Sequence, residues 1–475
     1  MLPPDLEDLL KRVRFRDPAA ARSRISELAT DPADLLALER LAPRLEESLS
    51  ACPDCDGAIN NLSRFVHAFG SRRQLFQVFS EHPAALDSLI QVISASQYLA
   101  DVLVRNPEYF EFLTHRTLLQ TPKTAETMRD ELRAICSAFP FIEARLDATR
   151  RFRRREFLRI GAGDLHGILD FRETTRQLSL LADAVVAHCL EIISEGDKAT
   201  GLMVLALGKL GGEELNYSSD IDLIFVTERE DRIEAATLLA QTLTRVLSEV
   251  SSEGFLYRVD LLLRPYGASG AMVVSSGRFE NYLRAEAHPA ERQAMLKARV
   301  IAGEKGPGLR LLERAGPLLR IDARSPRRQV RELKDRIERQ LRTRGQEGGH
   351  VKLARGGIRD IEFIAQALQL EHAGARPEIL TSNTQGALEK LSRAGLLASR
   401  DAADLHESYL FLRIIEHRLQ LMDNQQVHRL PRNPSDLKRL ARTMGFSGNH
   451  EVDEFRESYE ARVRKVRAIF ERILP

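Results

Sequence analysis

Residues 202–227 read LMVLALGKLGGEELNYSSDIDLIFVT. Two short apolar segments, 202–207 and 221–227, are separated by a turn rich in glycine and polar residues, which is the pattern of two strands. Side chains alternate faces along a strand, so Asp220 and Asp222 project to one side while Ile221, Leu223 and Phe225 project to the other, into a core. An isolated D-x-D is also what a solvated strand edge looks like. Two carboxylates held side by side inside an apolar run repel, however, and a hard divalent cation with oxygen ligands, Mg²⁺ above all, relieves that repulsion.

A third apolar segment follows at 255–263 (FLYRVDLLL), with Asp260 between Val259 and Leu261. Neighbouring strands lie ~4.8 Å apart, so Asp260 on an adjacent strand reaches the first two acids. Three carboxylates at that spacing suit two ions ~3.5–4 Å apart that clamp an in-line displacement at phosphorus. An amphipathic helix is predicted over 231–251, with Ala235, Leu238, Leu239, Leu243, Val246 and Leu247 as its inner face. Strand, turn, strand, helix and strand together make a compact α/β unit.

The turn offers a phosphate cradle. Gly211 and Gly212, with Gly208, allow close backbone approach, and Ser218 and Ser219 add hydroxyl donors. A P-loop is excluded, since Met203 stands where its first glycine belongs and Leu210 replaces the required Ser or Thr. Arg258, Arg264, Lys297 and Arg299 are candidates to hold phosphate oxygens, Arg264 first among them because it lies four residues past Asp260 beside a Pro turn. Lys297 and Arg299 read equally as a solvated helical face. Lys352, Arg355 and Arg359 surround Gly356-Gly357, with Glu362 following. They read either as the charged start of a capped helix or as part of a nucleotide pocket.

The rest of the chain is helical in pattern. Apolar residues recur at helical spacing from 5 to about 195, and after Gly270 the chain returns mostly to helix, with a short strand at about 271–275 and helices at 325–344, 360–372, 384–394, 402–423 and 451–474. Residues 345–349 and 429–434 read as linkers. The fold class expected is α+β, predominantly helical, with a small mixed-sheet core between two helical regions: 1–150, 151–320 and 321–475. With 70 basic and 68 acidic residues the 475-residue chain is nearly neutral, which argues against general affinity for nucleic acid or anionic membrane. The arginine run at 150–159 admits structural pairing, contact with phosphate or a protein partner, or nucleic acid. Its alternation with Glu156 and apolar residues favours the first. No uninterrupted apolar run approaches ~18 residues, and the first ten residues, MLPPDLEDLL, carry acids where a signal peptide carries bases, so the compartment expected is the cytoplasm. Cys52 and Cys55 form a C-x-x-C without a companion pair, and with Cys136 and Cys189 they read as ordinary thiols. None of the 12 histidines sits in a ligand pattern, and His288 and His417 read as surface or packing residues.

The glycine turn, the D-x-D strand and the third acid resemble the nucleotidyltransferase superfamily. GKLGGEELNYSSDIDLIF at 208–225, YRVDLLLRPYGASG at 257–270, ERQAMLKAR at 291–299 and KLARGGIRDIEF at 352–363 resemble one branch of it, the glutamine synthetase adenylyltransferase and adenylyl-removing family. RFRRREFLRI at 151–160 and LVRNPEYF at 103–110 extend the likeness over most of the chain. Members of that family usually carry two related halves, whereas this sequence holds one. Asn216, Ile221, Tyr266 and Ile358-Arg359 are most like the N-terminal, deadenylylating half. Ala290 and Ala354 depart from the family's usual tryptophan and glycine. The resemblance implies phosphorolysis of an AMP-tyrosine bond on glutamine synthetase to release ADP. Asp220, Asp222 and Asp260 would hold Mg²⁺, ATP or ADP and phosphate would be small-molecule partners, and a PII signalling protein would be a regulator. Two alternatives remain at this point: the reverse, ATP-dependent adenylylation, and a non-catalytic module that binds nucleotide or PII.

Overall fold

The computed structural model describes residues 2–194, 200–320, 325–345 and 348–475. At its centre is a mixed sheet of five strands: β1 (Leu202–Leu207), β2 (Ile221–Thr227), β3 (Val259–Asp260), β4 (Val273–Ser275) and β5 (Arg299–Gly303). β1 pairs antiparallel with β2 on one side and β5 on the other, while β3 and β4 both run parallel to β2, one after the other along its free edge.

Alternation along β1 and β2 divides the apolar side chains between two cores. Leu202, Val204, Ala206, Ile221, Leu223 and Phe225 join the large core shared with the N-terminal helices. Met203, Leu205, Ile224 and Val226 face Phe279, Leu283 and Leu311 on the other side. Asp222 alternates with the first set and therefore lies on the second face, as the sequence predicts. The 231–251 helix forms as Ile233–Ser248, but its buried face is Ala236, Ala240, Leu243, Val246 and Leu247, whereas Ala235 and Leu238 are exposed. The third strand is shorter than expected, because from Leu261 the chain leaves the sheet for the turn that ends at Gly270. The expected strand near 271–275 is β4. β5 lies where the sequence reads as helix, so Arg299 sits on a sheet strand and not on a solvated helical face.

Around the sheet the chain is helical. Phe171–Ser194 is apolar and long enough to cross a membrane by length and composition, yet 83% of its apolar 18-residue window is buried inside the protein. It packs on the Ile142–Leu165 helix, which carries the arginine run across the expected boundary at 150. The arginines there are paired: Arg150 with Asp147, Arg151 and Arg154 with Glu253, Arg155 and Arg159 with Glu156, and Arg153 stacks on Phe157 and Tyr257. A separate core joins the C-terminal helices Pro326–Thr343, Ile358–His372, Thr384–Arg393, Ser399–Asp423 and Glu451–Ile473. The helix Pro434–Thr443, absent from the sequence reading, packs with them after the 429–434 segment. The segment expected as a linker at 345–349 includes two residues outside the described ones. All four cysteines are free thiols, and burial pushes Cys52 and Cys189 up to about 12.

Candidate active site

β2 brings the acids together. In its register Asp222 stands opposite Leu207 of β1 on one side and Asp260 of β3 on the other, so the end of β1, Asp222 and Asp260 are adjacent. Gly208 follows directly at φ +57°, and a Cβ there would stand 2.0 Å from Asp222 Oδ2. Glycine is required at this position both by the left-handed backbone and by the carboxylate lying over it. Asp220 Oδ1 accepts from Arg258 Nε at 2.6 Å and its Oδ2 from Gln426 Nε2 at 3.0 Å. Asp260 Oδ1 accepts from the Leu262 amide at 2.7 Å. Burial first, then the charge of Asp260, push the Asp222 carboxyl up to about 6, with Lys352 and Arg359 opposing the rise.

The fit to a divalent cation follows from these contacts. As placed, no three acidic, His or Cys side chains converge to ion-binding distance among the described residues, since Asp220 is turned to Arg258 and Gln426. The oxygen-only donor set and the repulsion already felt at Asp222 are nonetheless what a hard divalent ion satisfies.

The acids open onto a cavity of about 420 Å³. Its sheet wall is Gly208, Lys209, Ser219, Asp220, Asp222 and Asp260; its opposite wall, Lys352, Arg359, Glu362, Phe363, Gln366 and Gln426, comes from the C-terminal helices and the segments between them. Lys297 also lines it, but its ammonium donates to Glu214 at 2.7 Å and to Thr384 at 3.1 Å. The other residues picked from the sequence lie outside this lining. Gly211 ends the short helical turn and Gly212 caps it. The Ser218 hydroxyl donates to the Asn424 carbonyl at 3.0 Å. Arg264 fastens the Leu261, Ala268 and Gly270 carbonyls. Arg299 pairs with Asp183 and donates to the Leu210 carbonyl at 2.9 Å. Arg355 is exposed and pairs with Glu471, while His288 caps the Pro289–Ala294 helix.

The loop between β1 and β2 is held by a buried polar seam to the Ser399–Asp423 helix. Glu416 accepts from Lys209 at 2.9 Å and from Asn216 at 2.7 Å, with His428 at 2.8 Å and Arg413 at 3.4 Å. Arg413 donates to the Glu214 carbonyl at 2.6 Å and to Asn216 Oδ1 at 2.7 Å. Arg418 and Tyr217 meet on Asp164, beside buried His417. The cations hold Glu416 well below the usual carboxylate range despite its burial, and Arg359 with Lys297 holds Glu362 down to about 2. A buried charge tolerates no missing partner. These contacts therefore fix the turn that places Gly208 and Asp220.

Residues 86–314 match the sequence family described as glutamate-ammonia ligase adenylyltransferase. Over that span the chain belongs to this family. Residues 325–474 match the family described as GlnD PII-uridylyltransferase. The chain is 34% identical over 402 residues to a bifunctional glutamine synthetase adenylyltransferase/adenylyl-removing enzyme of Hahella chejuensis, covering 78% of this chain and 41% of that one. It is 33% identical over 480 residues to the enzyme of the same name from Streptomyces avermitilis, covering 98% and 46%. The Streptomyces coelicolor relative is 34% identical over 456 residues, covering 92% and 44%. The chain thus spans less than half the length of these curated relatives. The family match takes in the whole sheet, and the second match takes in the wall that faces it, so the cavity lies where the two matched regions meet.

Proposed function

We propose that the cavity carries out nucleotidyl transfer at an adenylylated tyrosine of glutamine synthetase, in the removing direction. The observation that carries this is the register of Asp222 against Asp260 beside Gly208, at the floor of a cavity large enough for a nucleotide. Asp222 and Asp260, with Asp220 beside them, are the carboxylates that would hold Mg²⁺. Bound there, the ion would supply Lewis-acid stabilisation of the charge on the phosphoryl oxygens. An oxygen of inorganic phosphate forms a bond to the α-phosphorus while the bond from that phosphorus to the phenolic oxygen breaks. ADP and free tyrosine result, and the proton given up by the attacking phosphate ends on the phenol. Asp260, on the cavity wall, steers that proton. Support for the removing direction is the likeness of Asn216, Ile221, Tyr266 and Ile358-Arg359 to the deadenylylating half. The reverse reaction uses the same geometry at phosphorus. A PII signalling protein is the proposed regulator, supported by the match of residues 325–474.

The test is to incubate the chain with adenylylated glutamine synthetase, phosphate and Mg²⁺ and to measure ADP. Asp222→Asn should slow release roughly a hundredfold or more, ~2.7 kcal/mol of barrier. Absence of ADP under all effector conditions, or an unchanged rate in that variant, would sink the proposal.

A further inference from the structure

The cavity's cations are not equivalent. Lys209 and Lys297 each face a buried glutamate at 2.9 and 2.7 Å, so their charges are already answered. Lys352 lines the same cavity; its carbonyl accepts from the Arg359 amide at 2.9 Å, but its ammonium makes no hydrogen bond or ion pair among the described residues. Arg359 beside it has one ion pair, to Glu362 at 3.3 Å, and its Nε is buried with no partner. An ammonium and part of a guanidinium are thus left without acceptors on the wall facing the acids.

The segment that carries them is rigidly built. Lys334, itself fully buried, donates to the Leu353 and Ala354 carbonyls at 2.8 and 3.1 Å. Gly356 has φ +74°, and a Cβ there would stand 2.0 Å from the Val463 carbonyl. Its amide donates to Asp360 at 2.8 Å, and Asp360 in turn pairs with Lys334 and Arg467. So many buried charges spent on fixing one turn make sense if the turn must hold Lys352 and Arg359 at a set place in the cavity. Charged donors aimed at a shared space bind a phosphoanion best, through charge-assisted hydrogen bonds.

The geometry points to Lys352 and Arg359 as the binding site for the phosphoanion beyond the reacting α-phosphorus. In the proposed reaction this group is the attacking inorganic phosphate, which becomes the β-phosphate of ADP. This inference rests on the nucleotidyl-transfer reading of the cavity, and it assigns the second half of the ligand to the C-terminal helical region. A purely structural role is the competing explanation, in which Lys352 balances the charge of Asp222.

Equilibrium binding of inorganic phosphate, ADP and AMP, each with Mg²⁺, separates these for the full chain and its Lys352→Met, Lys352→Arg and Arg359→Gln variants. Loss of one charged hydrogen-bond donor should weaken phosphate and ADP roughly 10- to 100-fold. AMP, which lacks the second phosphate, should change less than about threefold. In turnover the KM for phosphate should rise while the KM for adenylylated glutamine synthetase stays put, and Lys352→Arg should recover most of the binding. Wild-type affinity for phosphate and ADP in folded Lys352→Met and Arg359→Gln would overturn the inference, and so would an equal loss for AMP. Should Lys352→Met not fold, Arg359→Gln and Lys352→Arg decide the same question. If the wild-type chain binds none of the three ligands, the nucleotidyl-transfer reading fails, and this inference fails with it. If it binds all three but releases no ADP, that reading alone is refuted.

Discussion

Glu416→Gln is the sharpest test of how the turn is held. The carboxylate is wholly buried and is the one acceptor that Lys209 has among the described residues. Removing its charge leaves Lys209 and Arg413 short of a counter-ion, and breaking a buried pair in this way costs ~3–5 kcal/mol. Two features place the loss at the low end. Arg413 keeps Tyr409, the Glu214 carbonyl and Asn216 as acceptors. Lys209, already pulled down to about 7 by burial, escapes by shedding its proton. The sign follows from that escape. In the variant the folded pKa of Lys209 falls further, while the unfolded chain binds the proton up to ~10.4, so the variant gains stability as pH rises toward neutrality. The wild type shows the same slope only above about 7. The deficit should therefore be ~3 kcal/mol at pH 6 and smaller at pH 8.5. Thermal unfolding followed by circular dichroism should show a Tm lowered by roughly 3 °C at pH 6. Glu457→Gln, the same change at an exposed position, should stay within about 1 °C. A Glu416→Gln melt matching Glu457→Gln, or a deficit that widens with pH, would refute the reasoning.

Two further outcomes follow from single contacts. Gly208→Ala must adopt a left-handed backbone and push the Asp222 carboxylate aside from 2.0 Å; ADP release should fall roughly a hundredfold with helical content unchanged, since about 1 Å of misplacement costs that much. Arg299→Met breaks the pair with Asp183, and stability should drop ~3 kcal/mol while the KM for phosphate stays within about twofold. Burial already pushes Asp183 up to about 6. Without Arg299 its folded pKa rises further, so the stability deficit in chemical denaturation should grow between pH 6 and 8 as the proton is lost. A raised KM for phosphate with unchanged stability would return Arg299 to the phosphate site.

What could be read in the sequence is what short-range periodicity encodes. The placing of Asp222 on the face opposite Ile221 and Leu223 needs only alternation along a strand, and its register with Asp260 needs only an adjacent strand, whereas Asp220 precedes β2 and is turned to Arg258 and Gln426. β5 is not legible in the sequence because RVIAG is five residues long and follows a stretch that continues a helical pattern; too few alternations exist to distinguish the two periods. Arg264 and Arg299 were reasonable phosphate ligands by residue type. Their partners, the carbonyls of the 261–270 turn and Asp183, are set by chain reversals and by packing across more than a hundred residues. The seam itself left a faint signal. Arg413, Glu416, His417 and Gln420 recur at i, i+3, i+4 and i+7, a polar stripe on one face of a helix whose Leu412, Ile415 and Leu419 face the C-terminal core. Such a stripe normally faces water. Here it faces Lys209, Glu214, Asn216 and Ser218, and only the complementary charges on a loop two hundred residues away make it a core. The cavity exists because that seam presses the C-terminal region onto the open end of the sheet. One wall therefore carries the acids that a local pattern reveals, and the other carries cations whose purpose only the assembled fold makes visible.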